Sequence, residues 1–277
     1  MPNIPKKVSD RLIAGVKKFQ PILQAAKTRD VNESDTVVIL NDIFADVFGY
    51  DKYFEATSEF SIRGTYCDLA IKLDGKLQYL IEVKAVGIEL KDQHVKQVVD
   101  YAANQGVEWV VLTNGIQWRV YRVIFAKPID NELVCEFDFL KIDVRNEDDL
   151  GILYLLTKEG WQKQVMSDFY QQRQALSRYF VGACLLSEPV LAAIRRELKR
   201  VSPDVRIEAE HIEIVLRNEV IKRDVLEGDK HTEALKTLTK AANKALRAAA
   251  AKKEQQSDVT TPTLAAVATA EPVPVAN

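Results

Sequence analysis

Cysteine is scarce in this sequence, and the three present, Cys67, Cys135 and Cys184, are odd in number, far apart and without metal-ligand spacing. That argues against a disulfide framework and against a zinc site, and it fits a reducing cytoplasm best. Long apolar runs are missing as well. No uncharged stretch approaches the roughly 20 residues needed to span a bilayer, and residues 1–7 lead into an amphipathic segment rather than an apolar signal core. Neither export nor membrane insertion is expected. Excess positive charge is also absent: 38 Lys and Arg against 40 Asp and Glu leave a net charge of −2. Such a chain does not coat nucleic acid by bulk charge, so any binding of that kind must be local. No internal repeat is present.

What the chain does have is enough apolar residue, 47% of 277, to bury a full core, with one main domain and something smaller. Its basic residues gather at Lys6, Lys7, Arg11, Lys17 and Lys18, at Arg195, Arg196, Lys199 and Arg200, and over 230–253. Taken singly, each cluster reads as a solvated helix face.

Along the chain, Leu12, Ile13, Val16, Phe19 and Leu23 predict a helix over 8–26, with a break or kink near Pro21. A second helix starts with Asn32 as N-cap, carries Val37, Leu40, Phe44 and Val47 on one stripe, and ends at Gly49. Glu33 lies at the N-terminal end of that stripe. Strand signals over 66–73 and 76–85 flank Asp74-Gly75 as a β-hairpin, followed by a helix over 89–104. A buried strand over 109–113, a tight turn at Asn114-Gly115 and a strand over 117–123 come next. Because a helix joins them, the strands ending near 85 and 113 should be parallel neighbours. An edge strand over 133–142 closes the domain, with Leu133, Cys135, Phe137 and Phe139 expected on its buried face.

Beyond residue 148 strand signals cease, and helices are expected over 160–182, 189–200 and 208–225, with Ser202-Pro203 as a break. The expected organisation is an α/β domain over 1–148, a mixed sheet flanked by helices, and a small helical domain over 149–228. A basic amphipathic helix over 229–254, along Leu235, Leu238, Ala242 and Leu246, and a disordered tail over 255–277 complete it.

The chemistry concentrates around Asp68 and the strand Leu80-Ile81-Glu82-Val83-Lys84. Alternation puts Glu82 and Lys84 on one face while Ile81, Val83 and Ala85 fill the other. Two charges emerging from an otherwise apolar strand are explained by a bound cation, a phosphate, or each other. Hairpin geometry constrains Asp68. A two-residue loop at Asp74-Gly75 pairs Asp68 with Ile81 and sends Asp68 and Glu82 to opposite faces, so a shared site needs an odd loop or a bulge. A three-residue loop over 73–75 pairs Lys72 with Lys76 and Asp68 with Leu80, leaving Asp68 and Glu82 diagonal neighbours on one face.

Asp68, Glu82-Val83-Lys84 and Gln97-Val98-Val99-Asp100-Tyr101 resemble the Asp, Glu-x-Lys and Gln-x-x-x-Tyr elements of the PD-(D/E)xK nuclease superfamily. The resemblance is closest to the N-terminal nuclease domain of type I restriction enzyme R subunits, over 33–123, where the stretch WVVLTNGIQWRVY resembles its strand-turn-strand. Cys67 departs from the pattern, standing where the superfamily name has Pro. The resemblance implies a restriction-endonuclease-like fold and a DNA phosphodiesterase dependent on Mg2+. Its implied metal ligands are Asp68, Glu82, the Val83 carbonyl and, directly or through water, Glu33. Lys84 is then the residue that orients water or offsets transition-state charge, while Gln97 and Tyr101, one helical turn apart, position Lys84 or contact a DNA phosphate. His94 reads as a surface or boundary residue, and Trp109 and Trp118 as packing residues. The chain lacks Gly-x-x-x-x-Gly-Lys-Ser/Thr, so the motor that follows this domain in R subunits is not expected in it, and translocation is expected to come from a helicase or translocase partner or not to occur. The competing reading is a non-catalytic DNA-binding or assembly module that keeps the nuclease fold. Target site and oligomeric state are not written in the sequence.

Overall fold

Asp74 and Gly75 both take positive φ, 50° and 74°, the conformation of a two-residue type I′ hairpin turn. They join β2 (Thr65–Leu73) to β3 (Lys76–Val83), the pair around which the rest of the sheet is built. In the computed structural model, which describes residues 3–62 and 65–257, the chain divides into two compact units that meet at Gln171 and Gln172.

The first unit opens with α1 (Lys6–Thr28) and α2 (Glu33–Asp46). The break expected at Pro21 does not occur: the chain stays helical through it, and Leu23 and Ala26 beyond it are buried. Packing of that continuous seam outweighs the one backbone hydrogen bond that proline removes. Asn32 caps α2, its side chain accepting from Asp35 N at 2.8 Å. The helix ends at Asp46, ahead of Gly49, which sits at φ 82°.

A strand with no counterpart in the sequence reading, β1 (Ala56–Ile62), pairs antiparallel with β2 and forms one edge of the sheet. After β3 come α3 (Asp92–Asn104), β4 (Trp109–Thr113), β5 (Gln117–Ile124) and β6 (Asp130–Asp138). The strand order is β1-β2-β3-β4-β5-β6, with β3 and β4 parallel across the α3 crossover and the other neighbours antiparallel. This is the expected mixed α/β sheet. β3 and β4 are central: Tyr79 to Val83 and the whole of β4 are buried, as for strands covered on both faces.

β6 corrects one expectation. It begins at Asp130 and gives way after Asp138 to a 3-10 turn over Phe139–Lys141. Val120 pairs with Cys135 and Tyr121 with Leu133, so Val134 is the extra residue of a β-bulge. The bulge resets the alternation: Leu133 is 37% exposed, while Val134 and Cys135 are both buried. The 3-10 turn in turn is held by Gln20 of α1, whose amide donates to Phe139 O at 3.1 Å and Ile142 O at 2.9 Å.

One face of the sheet packs against α1, α2 and the segment that follows β6, through Leu12, Phe19, Phe44, Phe48, Tyr79, Ile81 and Trp118. The other face, with Ala70, Leu80, Val110 and Leu112, is covered by α3 through Val95, Val98, Val99 and Tyr101. The first unit continues past residue 148 because α4 (Glu147–Tyr154), α5 (Lys158–Gln162) and the start of α6 (Val165–Ala175) supply Leu153, Leu155, Leu156 and Met166 to that first core. The single helix expected over 160–182 is therefore three, broken where Gln164 takes φ 58° and where Ser177 caps α7 (Arg178–Leu185).

In the second unit, α8 (Glu188–Val201) and α9 (Ala209–Val215) pack through Leu191, Ile212 and Leu216. The expected 208–225 helix is interrupted by a π-helical turn, Leu216–Val220, before α10 (Arg223–Leu226). α11 (Asp229–Ser257) packs on α7 with His231 and Ala234 buried. Leu235 is 39% exposed and Ala242 exposed, so the buried seam lies one position earlier than the apolar pattern suggested. A small side chain lets α11 approach α7 more closely than leucine would, and Leu235 is left outside. Apart from the end of α11, the expected tail over 255–277 lies outside the described residues. No helix among the described residues is long and apolar enough to cross a membrane.

Candidate active site

The register of β2 against β3 decides whether Asp68 and Glu82 can meet. Leu73 pairs with Lys76 and Lys72 with Leu77, but Ile71 pairs with Tyr79, so Gln78 is an extra residue on β3. The three-residue loop is thus replaced by a two-residue turn and a bulge. Beyond the bulge Ala70 pairs with Leu80 and Leu69 with Ile81, which sets Asp68 directly across from Glu82 rather than diagonal to it. Both project from the face that α3 covers, at the C-terminal end of the parallel pair β3 and β4. Carboxyl ends of strands in such sheets are where ligands approach.

Lys84 leaves the sheet one residue past β3, its N–H still held by Thr113 O at 2.9 Å. Its ammonium reaches back to Glu82 Oε1 at 2.7 Å and out to Glu33 Oε2 at 3.4 Å. Glu33 stands in the first turn of α2, with its side chain 48% exposed. Asp68 is engaged differently: its Oδ2 accepts the Val83 N–H at 2.7 Å. A carboxylate on β2 thereby takes over where the backbone ladder stops.

The electrostatics follow from burial. Burial lifts the Glu82 carboxyl above its ordinary range; the Lys84 hydrogen bond opposes this and the Asp68 charge adds to it. Burial also lifts Asp68, against the Val83 N–H and Lys84 and with Glu33. Burial takes basicity from Lys84, but its hydrogen bond to Glu82 together with the negative charges of Glu82, Glu33 and Asp68 outweighs this and holds the ammonium above its ordinary value. The two members of the Lys84–Glu82 pair thus pull in different senses. The carboxylate is the deeper group, 9% exposed against 20%, and one ammonium does not fully compensate it.

Residues 48–149 match the family model of the type I restriction enzyme R protein N terminus. Over that stretch the chain resembles the N-terminal domain of type I R subunits. No curated protein and no solved structure matched. The R-protein stretch takes in Asp68, Glu82, Lys84, Gln97 and Tyr101 and the strands that carry them, but neither Glu33 nor the second unit.

α3 places its two singled-out residues unequally. Tyr101 is 7% exposed within the layer formed with Ala70 and Leu80, whereas Gln97 is exposed. His94 is half-buried, and its Nδ1 accepts from Lys91 N at 3.2 Å, which caps the start of α3. Trp109 and Trp118 are both buried.

Three further residues brace this site in roles that the sequence reading did not assign. Cys67 is buried, its thiol donating to Ile81 O at 3.1 Å and Leu69 O at 3.2 Å, and burial pushes that thiol up to about 12. It straps β2 to β3 beside Asp68 as an inert packing group. Asn114 is 4% exposed; its Oδ1 accepts from Ile116 N and Gln117 N, while Nδ2 donates to Ile88 O at 2.8 Å. It ties the segment after Lys84 to the end of β4. Thr113, fully buried, accepts the Gly115 N–H. Asn-Gly signals a turn, but nothing local says which distant carbonyl the amide will find.

Asp68 and Glu82 suit a hard cation in their donor chemistry: two carboxylates, opposite each other on adjacent strands, partly withdrawn from water and mutually repelling. Among the described residues, no three His, Cys, Asp or Glu side chains stand together closely enough to hold a metal by themselves. Glu33 is tied to the pair through the Lys84 ammonium, at 3.4 Å. Two carboxylates and retained waters are a usual set for Mg2+, so the pair fits it without Glu33 as a direct ligand. A cavity of about 370 Å³, lined by Gln78, Trp109, Trp161 and Met166, lies at the opposite end of β3.

Proposed function

We propose that this chain is a Mg2+-dependent endonuclease that hydrolyses DNA phosphodiester bonds, acting in restriction of foreign DNA. The observation that carries it is the bulge-set register that brings Asp68 and Glu82 face to face with Lys84 bonded to Glu82, inside the stretch that resembles R proteins. Asp68 and Glu82 would hold the cation, with the Val83 carbonyl beside them and Glu33 joining through water. Bound Mg2+ supplies polarisation of the phosphoryl oxygen and a water of lowered pKa.

The chain's own residues do the remaining work. Lys84, fixed by Glu82 and by the Thr113 carbonyl, presents an ammonium to the attacking water or to the charge that grows on the phosphorane oxygens. Gln97, exposed on α3, is available to a DNA phosphate, and Tyr101 packs behind it as a positioning residue. Translocation, where it occurs, is supplied by a helicase or translocase partner. Free thiols at Cys67, Cys135 and Cys184 support a reducing cytoplasm as the place of action.

Cleavage of supercoiled plasmid by the wild type with Mg2+, compared with Asp68→Ala and Lys84→Ala, tests this reading. Metal-dependent nicking lost in both variants supports it. A folded wild type that binds DNA but never cleaves it in Mg2+ or Mn2+ replaces it with a non-catalytic DNA-binding module.

A further inference from the structure

The second unit carries a charge pattern that the proposed hydrolysis leaves unused. From Ala234 to Lys253 there are six Lys or Arg residues and no Asp or Glu. Four of them, Lys236, Lys240, Lys244 and Arg247, recur every three or four residues of α11 and are all exposed. At 3.6 residues per turn that spacing places them on one face, opposite the side through which His231 and Ala234 are buried.

The other arginines of this unit are treated differently. Arg178 pairs with Asp224, Arg195 with Glu208, Arg200 with Glu197 and Arg217 with Glu213, each within 2.9 Å. Among the described residues none of the four α11 cations has a carboxylate within salt-bridge reach, and neighbouring lysines at i,i+4 repel one another. A chain of net charge −2 has thus gathered an unneutralised ridge on one helix, at a small cost in helix stability.

We infer that this ridge of α11 is a docking surface for the phosphate backbone of duplex DNA, independent of base sequence. The inference rests on the nuclease reading for its choice of polyanion. Lys236 to Arg247 span about 16 Å of helix at the α-helical rise. That length faces about five phosphates of one DNA strand. The residues between the cations are Ala, Thr, Leu and Asn, without the aromatic anchors of a protein interface. The helix side opposite the ridge is spent on α7 rather than offered to a lipid surface. Phosphate contacts position a nucleic acid without reading its sequence, which is the role such a ridge can fill.

The test is fluorescence anisotropy of two labelled duplexes of unrelated sequence, without divalent cation, over a range of salt. The variant K236Q/K240Q/K244Q/R247Q keeps good helix formers, and circular dichroism checks that α11 persists. Both duplexes should bind the wild type equally, and the variant at least tenfold more weakly. Its log K against log salt should flatten by about 3 to 4, the slope lost with four phosphate contacts. An unchanged salt slope in the folded variant overturns the inference, as does binding confined to RNA or to vesicles of anionic lipid. Binding without cleavage sinks the nuclease reading and leaves the ridge standing; cleavage with an unaltered slope in the variant does the reverse.

Discussion

The Asp68 carboxylate accepts the Val83 N–H at 2.7 Å, so one side chain both ends the β2–β3 ladder and stands ready at the site. The two roles separate by substitution. Asp68→Asn keeps an acceptor for Val83 and removes a charge that burial disfavours, so without metal it should be at least as stable as the wild type in urea. Asp68→Ala leaves the Val83 N–H without that partner and should cost about 1–3 kcal/mol. Both should abolish Mg2+-dependent cleavage; a Mn2+ heat of binding unchanged in Asp68→Asn would remove Asp68 from the metal set.

The raised Asp68 and Glu82 carboxyls give a signed pH dependence. The folded state holds these protons more tightly than the unfolded chain, whose values lie near 3.8 and 4.5. Stability therefore falls as pH rises from that range through the folded values. Metal competes with the same protons, so affinity for Mn2+ should climb over that window. Glu159 acts in the opposite sense: the Arg11 hydrogen bond lowers its carboxyl, giving stability that is lost as pH falls. Calorimetry of the wild type against Asp68→Asn/Glu82→Gln isolates the pair, and a difference that stays flat with pH would show the two carboxyls are not shifted.

Gln78 is the extra residue that lets a two-residue turn coexist with Asp68 across from Glu82. Deleting it removes the bulge and leaves Ile71 across from Tyr79 and Leu69 across from Ile81, so Asp68 and Glu82 still share one face. Cleavage and Mn2+ binding should both survive the deletion. Loss of metal binding in a folded deletion variant would mean that the local twist of the bulge, rather than the register, aligns the two carboxylates.

Gly49 lies at φ 82° against the Arg11 guanidinium, where an added Cβ would meet Arg11 Cζ at 2.6 Å. Arg11 also bonds Val47 O, Phe48 O and both oxygens of Glu159. Gly49→Ala should thus cost more than Gly75→Ala, whose Cβ would meet nothing and whose cost is about 1 kcal/mol from positive φ alone. Equal melting temperatures for the two variants would show that Arg11 yields freely.

Trp118 is fully buried against Phe44, Phe48 and Phe137, with its indole N–H on Gly115 O at 2.9 Å. Trp118→Ala should destabilise by about 3–5 kcal/mol. A DNA-binding defect without loss of stability would instead make it a recognition residue.

The sequence by itself determined the periodic elements and the chemical set. The α2 cap at Asn32, the Asp74-Gly75 turn, the parallel β3 and β4 about α3, and the order Asp68, Glu82, Lys84 all follow from local propensity and alternation, which neighbours in sequence impose on one another. Tertiary structure decided what alternation cannot. β1 (Ala56–Ile62) exists because β2 offers it an edge to pair with. Leu133 turned outward, and Asp68 came opposite Glu82, because bulges at Val134 and Gln78 each shift a strand by one residue. Bulges of that kind are settled by how two strands fill the core together. Asn114 finding Ile88, and Pro21 staying inside α1, are likewise the outcome of partners distant in sequence, whose packing outweighs the local preference.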